Sequence, residues 1–374
     1  MQESNGKLKS VKEGQEHSRR VQRAGLSSLS VTLPKTWIES TNLKVGDVLV
    51  IRDVGDGRLE IQRCREKGTG EDMKHALYLD IRQSDLNLTS RLIVGAYITG
   101  HDTIILISKE DFTDQQRQEV DAVLRKTLGM SVVEESPNRI ELQNFTDPVK
   151  YRLSSLLDRV SKMLITEIHA CREGLISGNR RSLDHAADIE DEIDKFYLLM
   201  TRQLLLSSDN YLIAREIGVE SHHYQLGYRL VAKALELIGD MISRMATEIT
   251  ALISGRAEVP QNAIDIVIAE LDRLVNVLSL TTESFTAVSA MDANSILNEI
   301  EEWLSERHSG VSYLIGDAAS EGTAASIERI ISMANTAFEL LVTINETTIN
   351  RFLERERLVD TGGHITVAQD ERKR

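Results

Sequence analysis

Through the second half of the chain, apolar residues recur every three or four positions. In and around ALELIGDMISRM, residues 234–245, the positions Leu230, Ala234, Ile238, Met241, Met245 and Ile249 keep that spacing. It is the mark of an amphipathic helix that turns one stripe into a core. The same period predicts six long helices, at about 149–177, 180–207, 218–254, 260–291, 293–316 and 321–355. Three of the four prolines precede residue 150 and the fourth is Pro260, so little interrupts these helices. Six long helices with short connections form antiparallel bundles. Laying ALELIGDMISRMATEI over SIERIISMANTAFELL matches Glu236 to Glu328, Ile238 to Ile330 and Met241 to Met333, at a spacing of 92 residues. The bundle is thus expected to be a duplicated three-helix unit, with one departure, Asp240 falling on Ser332.

Before residue 147 the pattern changes. SLSVTLP (28–34), DVLVIRDV (47–54) and RLEIQRC (58–64) alternate or cluster β-branched residues, and the Asp-Gly pair in VGDGR (54–58) suits a hairpin turn. After the charged, Gly-rich EKGTGED (66–72), the chain reads strand (75–81), helix (86–100), strand (102–108), helix (113–129) and two strands (131–135, 139–143). Thr113 is the expected N-cap of the second of these helices and Gly129 its end. This segment contains neither a Gly-rich phosphate loop nor a convergent catalytic set, and its expected role is that of a spacer or dimerisation element. The fold class is therefore multidomain. A disordered tail (1–18) precedes a small β domain (19–66), an α/β sandwich (73–145) and an all-α domain (147–357). The all-α domain holds repeats at about 147–255 and 260–355, and a flexible tail (358–374) follows it.

Charge sharpens the division. Residues 1–70 carry 13 Lys and Arg against 9 Asp and Glu, a net of +4, which from the overall −14 leaves −18 for the remainder. The first segment alone is suited to a polyanion. No apolar run approaches the roughly 20 residues of a membrane-spanning helix, and the polar first residues lack the apolar core of a signal peptide. The expected location is cytoplasmic. Cys64 and Cys171, without CxxC or Cys/His spacing, argue against a disulfide framework or a structural zinc site.

The helices carry paired acids. Glu190 and Asp194 lie one turn apart beside the stripe Ile189, Ile193, Phe196 and Met200, and Glu236 and Asp240 are spaced alike on the next long helix. Like charges at i and i+4 cost a helix a few tenths of a kcal/mol. Two readings answer that cost. The acids pair with cations of their own helix, Lys233 and Arg244 among them, or four carboxylates from two helices supply oxygen ligands to a hard cation. A di-iron carboxylate enzyme would need two E-x-x-H motifs, whereas the chain offers Glu220 to His223 alone. No catalysis is implied.

The pattern DIEDEID followed some forty residues later by GYRLVAKALELIGD resembles the PhoU family over about residues 147–355. The resemblance implies six helices in two three-helix repeats, with E/D-xxx-D motifs binding metal. Carried onto this chain, it places a metal ion (Mg, Mn, Fe or Zn) on Glu190, Asp194, Glu236 and Asp240. The second repeat, with NEIEEWLSERHS and Ser332, departs from the motif, so one competent site is expected.

Residues 19–61, RRVQRAGLSSLSVTLPKTWIESTNLKVGDVLVIRDVGDGRLEI, resemble the AbrB and SpoVT swapped-hairpin domains, with the LPK corner, a short helix and an xLKxGD entry into a second hairpin. That resemblance implies a homodimer through the N-terminal domain and DNA binding by Arg19, Arg20, Arg23 and Lys35, with Ser27 and Ser28 donating to phosphate oxygens. Together the two resemblances imply a metal-binding transcriptional regulator of phosphate uptake. The alternative is an adaptor that does not bind DNA and instead contacts a phosphate ABC transporter or a signalling partner.

Overall fold

The computed structural model describes residues 17–53, 59–63, 76–81, 87–219, 221–254, 259–307 and 321–358. The predicted tails fall almost wholly outside these, as do the 54–58 turn, Cys64 and Glu220. Two compact units result, residues 1–72 and 73–374.

The first unit consists of two antiparallel hairpins and a short helix. β1 (Gln22–Ala24) pairs with β2 (Ser28–Ser30), and β3 (Leu49–Asp53) pairs with β4 (Leu59–Arg63). α1 (Lys35–Ser40) opens directly after Pro34. The xLKxGD motif has a local mechanical reason. Gly46 takes φ 101°, and the Asp47 carboxylate accepts from the Lys44 backbone N–H at 2.9 Å and pairs with Arg63 at 3.0 Å. No described residue of this unit is buried, and Leu26, Leu29, Val31, Val45, Val48 and Ile51 are all exposed.

The second unit begins with a four-stranded mixed sheet of order β5-β6-β8-β7. β5 (Ala76–Asp80) and β6 (Thr103–Ile107) are parallel and are joined through α2 (Leu88–Ile98). β8 (Arg139–Asn144) lies antiparallel to β6 and to β7 (Met130–Ser136), with a bulge in β7 between Val132 and Glu134. α3 (Asp114–Lys126) opens with the expected Thr113 cap, completed by Gln116 into a reciprocal capping box. Its end differs from expectation. The helix stops at Lys126 with Thr127 as C-cap, and Gly129 belongs to the turn beyond. There, at φ 82°, an added Cβ would fall 1.7 Å from the Thr146 hydroxyl oxygen.

α4 (Leu153–Ser177), α5 (Arg180–Asp209) and α7 (His222–Ser254) pack on one another as the first three-helix unit. α8 (Gln261–Ala287), α9 (Ala290–Arg307) and α10 (Glu321–Leu358) form the second. The two share one core across the α4–α8 and α7–α10 faces. An unpredicted short helix, α6 (Tyr211–Ile217), intervenes because the Asn210 side chain accepts from the Leu212 and Ile213 N–H groups and Gly218 ends the turn at φ 87°. The predicted helix at 260–291 breaks at Val288, which adopts φ 56°, and Ser289 then accepts from the Asp292 N–H to start α9. α4 and α5 approach closely where Gly174 meets Leu183. A Cβ at 174 would lie 2.7 Å from two Leu183 carbons, so Gly174→Ala is expected to destabilise the bundle by about 1–3 kcal/mol through overpacking, measurable by chemical denaturation.

The sheet is not a detached spacer. Leu198 of α5 is part of the apolar cluster beneath the sheet, and Arg202, 2% exposed, runs from α5 into the α2–β6 connection. There its guanidinium donates to the backbone carbonyls of Tyr97, Gly100 and His101 and to the Asp102 carboxylate.

Candidate metal centre and nucleic-acid interface

The four predicted metal-site acids lie on two helices packed against each other. Glu190 and Asp194 come from α5, Glu236 and Asp240 from α7, and the packing of those helices brings the two pairs into electrostatic reach of one another. A fifth acid, missed by the sequence reading, joins them from α4. Glu167 is wholly buried, neither of its carboxyl oxygens has a hydrogen-bond partner, and it faces Glu190 and Asp240. A signal for it existed, because Glu167 interrupts the apolar stripe Val160, Leu164, Ile168, Cys171 and Leu175.

The electrostatics follow from burial and from like charge. Burial, reinforced by Glu190 and Asp240, pushes the Glu167 carboxyl up to about 9. Glu190 is pushed up to about 7 by burial and by Asp194, with Lys126 opposing and Asp191 and Asp240 adding to it. Glu236 is raised by burial against the pull of Lys233. Two ammonium groups answer part of this negative charge. Lys233 donates to Glu236 at 2.5 Å along its own helix, the partnership expected from i, i+3 spacing. Lys126, at the end of α3 beneath the sheet, donates to Asp194 at 2.9 Å across 68 residues of sequence. This contact raises the Lys126 ammonium above its usual range. Among the described residues no group of three or more His, Cys, Asp or Glu side chains is placed to hold a metal ion. Tyr197 lies against the same lysine. The Lys233 ammonium is 5.1 Å from its ring centroid, and Arg229 donates to its hydroxyl at 2.7 Å.

In the second three-helix unit the matched acids face solvent. Glu328, Glu301 and Glu302 are all exposed.

On the first unit, Arg19, Arg20, Arg23, Ser27, Ser28 and Lys35 are all exposed. Arg23, Ser27 and Ser28 belong to the first hairpin, whose turn is braced by Arg23 donating to the Leu26 carbonyl at 3.0 Å. Lys35 opens α1 and lies 3.7 Å from Glu39, an exposed pair of little energetic consequence.

Known proteins resemble the two units separately. Residues 22–69 match the family described as antidote-toxin recognition MazE, bacterial antitoxin. Among solved structures, PhoU from Pseudomonas aeruginosa superposes with a TM-score of 0.45 at 15% identity, over 54% of this chain and 96% of that one. No curated protein matches the chain. Among the described residues no helix is long and apolar enough to cross a membrane.

Proposed function

We propose that the chain is a metal-binding transcriptional regulator of phosphate uptake that grips DNA as a dimer through its first unit. The observation that carries the DNA half is a basic, exposed hairpin on a segment with no buried residue among those described. Some fifty residues exposing Leu26, Val31, Val45 and Val48 do not stabilise themselves, and a second copy interleaving its hairpins would cover these side chains. The antitoxin-family match over 22–69 supports the same reading. The phosphate connection rests on the PhoU-like acid motifs. The metal half is supported by the donor chemistry: five carboxyl groups, one of them buried without a partner, suit a hard cation. Glu190, Asp194, Glu236 and Asp240 would hold it, with the two lysines withdrawing. The ion would supply positive charge that fixes α5 against α7.

The test is a mobility shift on DNA from the chain's own promoter region, repeated with Arg20→Ala combined with Arg23→Ala. The double variant is expected to remain dimeric and to bind more weakly. The dependence of log affinity on log salt should flatten by about 0.9 for each phosphate that the variant no longer neutralises. A wild type that leaves DNA unshifted while remaining dimeric would instead select the adaptor reading, with a phosphate ABC transporter or signalling protein as partner. DNA occupancy at high and low phosphate tests the regulatory link.

A further inference from the structure

The mixed sheet has two outer strands, and β5 is the one whose register with its neighbour is unbroken. Its 5 residues carry one charge, Asp80, and neither proline nor glycine. Leu77 and Leu79 pack into the apolar cluster with α2 and α3. Side chains alternate along a strand, so Ala76, Tyr78 and Asp80 lie on the other face, where all three are exposed and Tyr78 is 64% exposed. The backbone alternates too. The Ile81 N–H donates to the Ile107 carbonyl at 2.8 Å, which turns the N–H and C=O groups of Ala76, Tyr78 and Asp80 away from β6. Among the described residues no strand pairs on that side. Such a row of outward donors and acceptors accepts a further strand, and β5 is complementary to itself. Two copies running antiparallel about a twofold axis at Tyr78 would pair all 5 residues. Tyr78 would meet Tyr78, Leu77 would meet Leu79, and Ala76 would meet Asp80 of the second copy. The outward groups of Ala76, Tyr78 and Asp80 then face one another, and each pair exchanges both hydrogen bonds. The exposed tyrosines stand side by side and the Asp80 carboxylates stay apart. A twofold at Asp80 would set like charges directly opposite, and one at Ala76 would leave most of the strand unpaired.

We propose that β5 is a second joint between two copies of this chain, paired on Tyr78 so that one sheet runs through both. The inference rests on the dimer reading above and deepens it. Residues 64–75 link β4 to β5 and reach at most about 45 Å when fully extended. Copies already joined through their first units therefore hold their two β5 strands at high effective concentration, which makes a second copy the occupant that this strand meets first.

The experiment uses the full chain carrying Cys64→Ser, which leaves the buried Cys171 as its native thiol. Tyr78→Cys places two sulfurs across the axis, where a hydrogen-bonded pair has its Cα atoms about 5.5 Å apart, within reach of a disulfide. Mild oxidation is expected to turn most of this variant into a covalent dimer on a non-reducing gel. Ala76→Cys is exposed on the same face but lies opposite Asp80, four residues along the strand from its own copy, and is expected to stay uncross-linked. Both positions are exposed, so neither change threatens the fold. No cross-link from Tyr78→Cys, as when residues 64–75 of the same chain cover β5, would overturn the pairing, and so would one that forms as readily from Ala76→Cys. Sedimentation of the wild type separates this failure from that of the dimer reading. A wild type that sediments as a dimer while Tyr78→Cys gives no cross-link leaves the first-unit dimer standing, and one that sediments as a monomer overturns both.

Discussion

Arg202→Ala is expected to lower the melting temperature of the second unit by on the order of 10 °C, more than any other single substitution proposed for this chain. The guanidinium is 2% exposed and donates to three backbone carbonyls and one carboxylate of the α2–β6 connection. Removing it leaves the Tyr97 and Gly100 carbonyls buried without their donor and opens a cavity between sheet and bundle, while the half-exposed Asp102 carboxylate regains water. Breaking one side of such an arrangement costs about 3–5 kcal/mol. Arg202→Lys is expected to recover little, since a point ammonium cannot span several carbonyls as the planar fork does. Arg202→Met restores volume without donors, so the difference between its melting temperature and that of the Ala variant separates packing from hydrogen bonding. A loss of under about 2 °C in the Ala variant, well below the shift expected for several kcal/mol, would show that the sheet is held to α5 by the apolar packing around Leu198 and by the Lys126–Asp194 contact.

The second large effect is expected from cation removal. A cation at 100 times its dissociation constant stabilises the fold by about 2.7 kcal/mol, or roughly 5–10 °C for a unit of this size. Chelator should therefore lower the melting temperature by that amount. The sign with pH is fixed by the raised carboxyls. Glu190 and Glu167 lie at about 7 and about 9 in the folded chain against an ordinary 4.5. Each therefore prefers its proton in the folded state, and its contribution is full below about pH 4.5 and lost as pH rises through 7 and then 9. The ion-free chain should melt higher at pH 5.5 than at pH 8.5, and ion loading should flatten that difference. Glu236→Gln with Asp240→Asn removes ligands and repulsion together, so this variant should bind less metal yet respond less to chelator. Glu328→Gln, on an exposed side chain of the second three-helix unit, should change neither property. Identical melting of the wild type with and without chelator would reduce the four acids to a solvated, lysine-paired face.

The parts legible in the sequence were those set by local period. Stripes at 3.6-residue spacing predicted the long helices, Thr113 its capping role, and the duplicated Glu236 and Glu328 motifs the two-unit bundle. The rest depended on contacts that no local spacing encodes. α6 looked like a loop because Asn210 and Gly218 punctuate it so closely, and the break at Val288 places a β-branched residue in a left-handed conformation that its type disfavours. Of the acid cluster, the two i, i+4 pairs were readable. Glu167 was readable in principle, as an acid inside an apolar stripe. Lys126 was not, since it reaches Asp194 only because the sheet docks on α5.

The bulge in β7 has a consequence for how the chain behaves in crowded solution. β7 is an outer strand, and Val132 and Val133 are exposed on it, the kind of rim on which a neighbouring chain could lay a further strand. One extra residue between Val132 and Glu134 upsets the even spacing of free N–H and C=O groups that such an addition needs. Just past it, Glu134 and Glu135 are engaged by Arg139 and Arg117. A newcomer would have to displace both ion pairs while matching an irregular edge, so this rim resists intermolecular strand addition despite its two valines.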